Sequence, residues 1–496
     1  MIKQRSFSNA LKWSYSASWG EKAFTALFTV ILAGILGPRD FGMISIALIY
    51  IGFLNMFQDQ GLVAALIQRK DLQQEHSDAV FWMNQFLSFV LVGISIALGG
   101  WWAAKNHAPE AARFIFVLSL SIPIEGLTVV QTALLKRDMD FRTLSIRSNI
   151  SVVTGGIVGL GMAFGGFGAW SLVGQIFGRD LTALVLLWKM SAWRPHLEFS
   201  WKHLRELMSF SVSNFIAQLG IFADMQSASV LIGLLFGPVA VGLYRLADRV
   251  MSSVMTMATA SIQAVALPEF SRRQNNPDQL RQSALSCIRV SSIVTLPALA
   301  GLAAVSGPLM AMIGAQWLPA ANVLKILSLL GMFVMFAFFT GPLLQALHLT
   351  HKLAVLEWAR TVIGVAFIVG TGLMVRNSHP EWHLMAITLA RFVPTVFVVT
   401  PAFLYILMKI CDISAANLMA AVWPSFAASI GAVASVSLCN YSNAFSGVRP
   451  MFVLVTEVVI GGAAGLVVLV STDSQLRDKL RTIIQRAFGL SPVVSQ

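Results

Sequence analysis

LIGLLFGPVAVGLYRLADR, residues 231–249, decides the fold because the chain has already used its pattern once, as LAGILGPRDFGMISIA at 32–47. Gly37-Pro38 and Gly42 of the first copy recur as Gly237-Pro238 and Gly242 in the second. In each copy an apolar segment runs into Gly-Pro, turns within a few residues and resumes as a second apolar segment. Proline lacks a backbone donor and glycine accepts unusual dihedrals, so the pair suits a tight exit from one helix into the next. The surrounding hydropathy repeats as well. The chain therefore reads as two like halves of about 200 residues, each a set of membrane helices.

Composition agrees with that frame. Of 496 residues, 56% are hydrophobic and only 12% charged, with a mean hydropathy of +0.73. Soluble domains carry nearer a quarter charged residues, so this is an all-α, polytopic membrane protein. Cys287, Cys411 and Cys439 are scattered in or beside apolar spans and suggest neither a metal site nor a disulfide framework. The first dozen residues are polar and basic, with no cleavable signal pattern before the first span.

About fourteen segments are long enough to cross roughly 30 Å of hydrocarbon. Spans one, two, seven and eight fall near 14–36, 41–67, 209–236 and 240–267. With the N-terminus in the cytoplasm, roughly 23 Lys/Arg lie inside, about 5 outside and about 7 within spans. That bias places both termini in the cytoplasm and accounts for the net charge of +12 without nucleic acid. The loops are too short to hold a folded extramembrane domain. HLEFSWKHLRELM at 196–208 interleaves Trp201, Leu204 and Leu207 with Lys202, His203 and Arg205, as an interfacial helix does.

A second repeat supports the first. QTALLKRDMDFRTLSIR (131–147) follows span four, GPLLQALHLTHKLAVLE (341–357) follows span ten, and Leu134-Leu135 align with Leu343-Leu344. The expected organisation is a six-helix lobe over 1–195 and a linker helix at 196–208. A second six-helix lobe follows over 209–408, then two additional helices over 409–473 and an amphipathic cytoplasmic tail at 474–496. Both lobes start on the same side, so an axis along the membrane normal relates them.

LGPRDFG (36–42), DQGLVAALIQRKD (59–71), AVFWMN (79–84), LLKRDMDF (134–141), GLYRLADRV (242–250), ALPEFSR (266–272) and IGAQWLPAANVLKILS (313–328) together carry a family resemblance. In order and spacing they resemble the Wzx-type polysaccharide transporters of the multidrug/oligosaccharidyl-lipid/polysaccharide superfamily. The resemblance implies two six-helix lobes with an appended helix pair, in a bacterial inner membrane. It also implies export of undecaprenyl-diphosphate-linked oligosaccharide repeat units for exopolysaccharide, lipopolysaccharide or capsule. Partners on this reading are the polyprenyl-diphosphate-linked oligosaccharide, the lipid bilayer, a polysaccharide polymerase with its export machinery, and a coupling ion, H+ or Na+. No cofactor, metal or nucleic acid is expected. The last four spans match only in hydropathy, and the charges of span eight depart from the family pattern.

Ionisable residues inside a membrane are costly, so each is a candidate site. In span eight Arg245 and Arg249 share a face at i,i+4, with Asp248 three residues from Arg245. A guanidinium offers diphosphate oxygens a planar fork of donors. The alternative is a structural pairing of these arginines with Asp248 and Asp224. Lys22 and Asp224 lie near the middle of corresponding spans and would form a gate or coupling pair if they face each other. Arg179 and Asp180 are sequence neighbours and so point about 100° apart on a helix, as do Glu21 and Lys22. Asp59, in the DQG stretch, and Arg391 complete the candidates. Glu125 and Glu457 have no basic partner close in sequence.

GGIVG (155–159), GMAFG (161–165) and GGAAG (461–465) suit close helix packing. There is no G-x-x-x-x-G-K-[ST] phosphate loop, and the histidines form no ligand-spaced cluster. A cation-coupled multidrug exporter of the same superfamily is the first rival; its cavity should be acidic, against the arginines of span eight. An integral-membrane polymerase or acyltransferase is the second, and it needs a large outer loop or a catalytic cluster that the chain lacks.

Overall fold

The structure is a computed structural model that describes residues 7–59, 62–69, 71–376, 380–441, 448–473 and 476–477. Within the helices, some side chains, including those of 7–19, 59 and 208–218, lie outside that description. The chain runs through α1 (Phe7–Ile35), α2 (Pro38–Asp59), α3 (Leu62–Gln68), α4 (Gln74–Lys105), α5 (Ala111–Ser119), α6 (Ser121–Arg137), α7 (Phe141–Phe164), α8 (Trp170–Met190) and α9 (Trp201–Arg273). It continues through α10 (Pro277–Ala304), α11 (Ser306–Ile313), α12 (Ala320–Val334), α13 (Ala337–Ala346), α14 (Thr350–Val375), α15 (Pro380–Pro394), α16 (Thr400–Cys411), α17 (Ala415–Tyr441) and α18 (Pro450–Thr472). These helices form two compact units. The first holds residues 1–246 and 357–391, the second 247–356 and 392–496.

The distribution of side chains is that of a protein in lipid. On α4, Phe86, Phe89, Ile96 and Trp101 are each at least 60% exposed, while Asn84, Gln85, Ser88 and Ser95 are buried. That arrangement is unfavourable in water and favourable in hydrocarbon, where polar groups must find partners inside the protein. Among the described residues twelve stretches are long and apolar enough to cross a membrane. One of them, Leu219–Thr259, has 41 residues, about twice what a single crossing needs, and consists of two helices joined at a kink. It is interrupted at Gly237, whose φ of 77° is open to glycine and strained for other residues.

Local sequence sets the helix ends. Pro38, Pro277 and Pro450 open α2, α10 and α18, where the missing N–H removes no hydrogen bond. Asn276 and Asp140 cap α10 and α7 by accepting from the backbone of Gln279 and Thr143. The segment expected as a separate linker helix at 196–208 is irregular up to Ser200 and helical from Trp201, where α9 begins. No proline stands between Trp201 and Phe236 to end it, so the amphipathic turn continues into the next span. At its start Glu206 accepts from Arg69 and lies 3.4 Å from His76. The hydrogen bonds to His76 and to Arg69 hold the Glu206 carboxyl below the ordinary glutamate range. The amphipathic tail expected at 474–496 falls, apart from 476–477, outside the described residues.

Both sequence repeats have structural counterparts. In the first unit the two Gly-Pro turns pack on each other reciprocally. A Cβ on Gly42 would overlap the carbonyl of Pro238, and one on Gly242 would overlap the carbonyl of Pro38. Only glycine at both positions lets the first turns of two helices approach backbone to backbone. The second repeat is a matched pair of helix ends. After α6, Asp138, Met139 and Asp140 donate to the carbonyls of Leu134, Lys136 and Leu135; after α13, Leu347, His348 and Leu349 donate to those of Leu343, Gln345 and Leu344. Met139 and His348 both take the left-handed conformation, at φ 56° and 58°.

Each unit has its own buried cluster built from corresponding elements. In the first, Leu62 and Leu66 of α3 pack with Val80 and Phe81 of α4, Val130 of α6 and Leu204 of α9. In the second, Phe270 at the end of α9 packs with Leu280 and Ile288 of α10, Phe339 and Leu343 of α13, and Leu407 of α16.

Candidate functional site

A cavity of about 710 Å³ lies within the first unit, bordered by α1, α2, α6, α7, α8 and the part of α9 before Gly237. Its lining is charged on both sides of neutrality. Lys136, Arg147 and Arg179 supply the bases, and Glu21, Glu125 and Asp180 the acids. Asn55, Gln58, Thr128, Thr132, Ser148 and Ser151 add hydrogen-bonding groups, and Phe222 an aromatic face.

Small residues make this wall possible. A Cβ on Gly155 of α7 would stand 2.5 Å from the carbonyl of Gln175 and 2.9 Å from Arg179, and one on Gly178 of α8 3.2 Å from Val158. The GGIVG stretch therefore does pack helices closely, and it sets Arg179 against the opening. Arg179 Nε donates to Asp180 Oδ1 at 2.8 Å; Asp180 is 7% exposed and the arginine side chain 47%. Helical geometry puts the two Cβ atoms about 100° apart, yet the long arginine folds back and both residues line the cavity. On α6, Glu125 Oε2 accepts from Asn55 Nδ2 of α2 at 2.9 Å. On α7, Arg147 Nη1 donates to Thr132 at 3.4 Å, and Ser148 donates to Glu21 of α1. Three buried atoms of this lining have no protein partner: Arg147 Nε, Asp180 Oδ2 and Asn55 Oδ1. Unpaired buried groups of this kind are costly unless water or a cargo group completes them.

Of the eight residues expected to form the site (Arg245, Arg249, Asp248, Lys22, Asp224, Asp59, Arg179 and Arg391), Arg179 borders this cavity, and so do Asp180, Glu21 and Glu125 among the other intramembrane charges. Lys22 is half-buried on α1, next to Glu21, which does line it. Asp224 of α9 has another partner than those expected. Arg360 of α14 donates to it through Nη2 at 2.6 Å and Nε at 3.3 Å, and the same guanidinium reaches Glu357 at 2.9 Å. Arg245 donates to Gln226 at 3.1 Å, and Arg391 of α15 donates to the hydroxyl of Tyr244 at 2.7 Å. Asp248 is half-buried and Arg249 exposed; both have partners, and both belong to the second unit. Asp59 ends α2, and its side chain lies outside the described residues. The cavity residues that the sequence did not mark as intramembrane charges are Lys136 and Arg147. The expected topology counts them toward a cytoplasmic excess of positive charge, which draws no notice to them as a site.

Among the described residues the regular structure is all helical, and a charged cavity lies inside the bundle of the first unit. Solved structures share this fold: the lipid II flippase MurJ in its inward closed conformation superposes with a TM-score of 0.73, at 14% identity, over 95% of this chain and 100% of that one. An inward-facing multidrug resistance MATE family transporter of the MOP superfamily superposes with a TM-score of 0.60, at 15% identity, over 80% of this chain and 96% of that one. The polysaccharide biosynthesis protein family model matches residues 31–322, and the chain belongs to that family. It is similar to the succinoglycan biosynthesis transport protein ExoT of Rhizobium meliloti (strain 1021), 29% identical over 66% of this chain and 67% of that protein. It is also similar to the lipopolysaccharide biosynthesis protein WzxC of Escherichia coli (strain K12), 22% identical over 67% of this chain and 68% of that protein. The chain is thus a membrane transporter of polysaccharide biosynthesis rather than an enzyme.

Proposed function

We propose that this chain flips a polyprenyl-diphosphate-linked oligosaccharide across the bacterial inner membrane by alternating access. In this reading fourteen crossings leave both termini in the cytoplasm, and six-helix lobes at 1–195 and 209–408 are followed by an appended pair at 409–473. The observation that carries it is the charged cavity of the first unit, about 710 Å³ and set among helices that otherwise expose hydrocarbon side chains. A glycan needs a wet, hydrogen-bonding path through lipid, and a diphosphate needs cations along it. Arg147 and Arg179, with Lys136 beside them, supply those cations, and the acids between them keep the empty cavity near neutrality. Arg245, Arg249, Arg391 and Lys22, with Asp248, Asp224 and Asp59, are further contacts along the path. The relatives named for succinoglycan, lipopolysaccharide and lipid II favour a lipid-linked glycan over a cationic drug. A polymerase with its export machinery would take the product, and H+ or Na+ would drive the cycle.

The experiment is complementation of a transporter-deleted strain. Each hydrogen bond to a charged group is worth about 1.5–3 kcal/mol, so Arg147→Ala and Arg179→Ala should each lower polymer export by about tenfold or more at wild-type membrane abundance. Lysine at either position keeps the charge but loses the fork of donors, and should restore export only in part. Normal export by the double alanine variant at normal abundance would overturn the assignment.

A further inference from the structure

A second cavity, of about 400 Å³, lies in the second unit between α10, α17, α18 and the part of α9 that carries Val254. Its walls are Val, Leu, Ile, Ala, Pro and Gly with one exception, Glu457 of α18. That residue is the sole acid or base in the 23 residues of α18, a span of mean hydropathy 2.4. It does not turn outward to water or headgroups: the side chain is 0% exposed, and neither carboxyl oxygen has a hydrogen-bond partner. Asn440 of α17 is the polar side chain that approaches it. No other titratable group among the described residues lines the cavity, on α9, α10, α17 or α18.

An ionised carboxylate in such a place has lost its hydration and gains the approach of one amide, that of Asn440, in return. The group removes the penalty by taking up a proton. A metal cation would need several oxygen ligands, and the walls offer one carboxyl amid hydrocarbon. Packing gives no reason for the acid either. Gly461 and Gly465 already bring α18 against Val436 and Ala428 of α17, and Gly462 has open space around it.

We propose that Glu457 is a proton-carrying site. Its carboxylate takes up one proton from water while the cavity is open, holds it as the neutral acid while the cavity is sealed, and returns it to water when the cavity opens again. This deepens the transport reading by assigning the coupling ion as H+, and it rests on that reading for its physiological use. Proton occupancy at Glu457 can be measured whatever the cargo is.

The test uses the full-length protein in lipid vesicles and a membrane-soluble carbodiimide, which adds to protonated carboxyls in apolar surroundings. Mass spectrometry reads the adduct on the peptide that carries Glu457. The expected result is labelling at Glu457 that falls at least tenfold as the pH rises through the range where the site empties, and none in Glu457→Gln. Glu457→Asp should keep labelling with a shifted midpoint. Glu457→Gln imitates the protonated state, so it should accumulate in membranes at wild-type level and lose the dependence of export on the proton gradient. No adduct at Glu457 at any pH, or export by Glu457→Gln that still follows the gradient, would overturn the proposal. Labelling without any glycan transport would instead sink the cargo reading and leave the proton site standing.

Discussion

Replacing Gly42 with alanine tests the reciprocal contact on which the repeat rests. The new Cβ would overlap the carbonyl carbon and oxygen of Pro238, and main chain on both sides cannot swing away as a side chain would. The two helix starts must separate, which puts the cost at the upper end of over-packing, about 3 kcal/mol. Alanine returns up to about 1 kcal/mol of helix propensity, leaving a net loss of about 2 kcal/mol. At about 2–4 °C per kcal/mol for a large unit, the detergent-solubilised protein should melt about 4–8 °C below wild type. Gly242→Ala should do the same through Pro38. The double variant should cost less than twice either one, because helices already apart accommodate the second methyl. Gly93→Ala is the control: it lies inside α4 with nothing within 4 Å, and should be neutral or slightly stabilising. Equal melting temperatures for Gly42→Ala and Gly93→Ala would refute the reasoning.

Two ion pairs give further tests. A double-mutant cycle of Arg360→Ala and Asp224→Asn should return a coupling of about 1–3 kcal/mol, since the bidentate pair is only part-exposed and Glu357 shares the guanidinium; simple additivity in melting temperature would contradict the geometry. Arg289 of α10 holds Asp473, the 1%-exposed residue at the end of α18, through two nitrogens. Arg289→Ala leaves that acid buried and unpaired, at about 3–5 kcal/mol, and should speed protease cleavage after α18; unchanged cleavage would place the anchor elsewhere.

The fold was legible where backbone chemistry dictates it. Gly-Pro with glycine four residues on marks a turn and a close approach at once, and Leu-Leu before Met139 and His348 marks one helix end used twice. These signals depend on neighbours in sequence, so they can be read there. The site depends on neighbours in space. Asp224 finds Arg360 136 residues away, and Glu125 finds Asn55 70 residues away. No periodicity announces either pairing. Arg147 was hidden by the rule behind the expected topology: a base near a helix end expected to face the cytoplasm is explained by the membrane, so it draws no notice as a cavity wall. In span eight Arg245 and Arg249 share a face by spacing, and Arg245 finds Gln226, 19 residues back along α9.

Flipping itself can be read after reconstitution. The full-length protein is placed in proteoliposomes containing a polyprenyl-diphosphate oligosaccharide, and an impermeant glycan-modifying reagent reports how much substrate stands in the outer leaflet. Wild-type protein should expose the whole pool with time, while the Arg147→Ala/Arg179→Ala variant should expose little beyond the initial outer-leaflet fraction. A wild-type trace no different from protein-free vesicles, with correctly folded protein and a proton gradient imposed, would contradict the flipping reading.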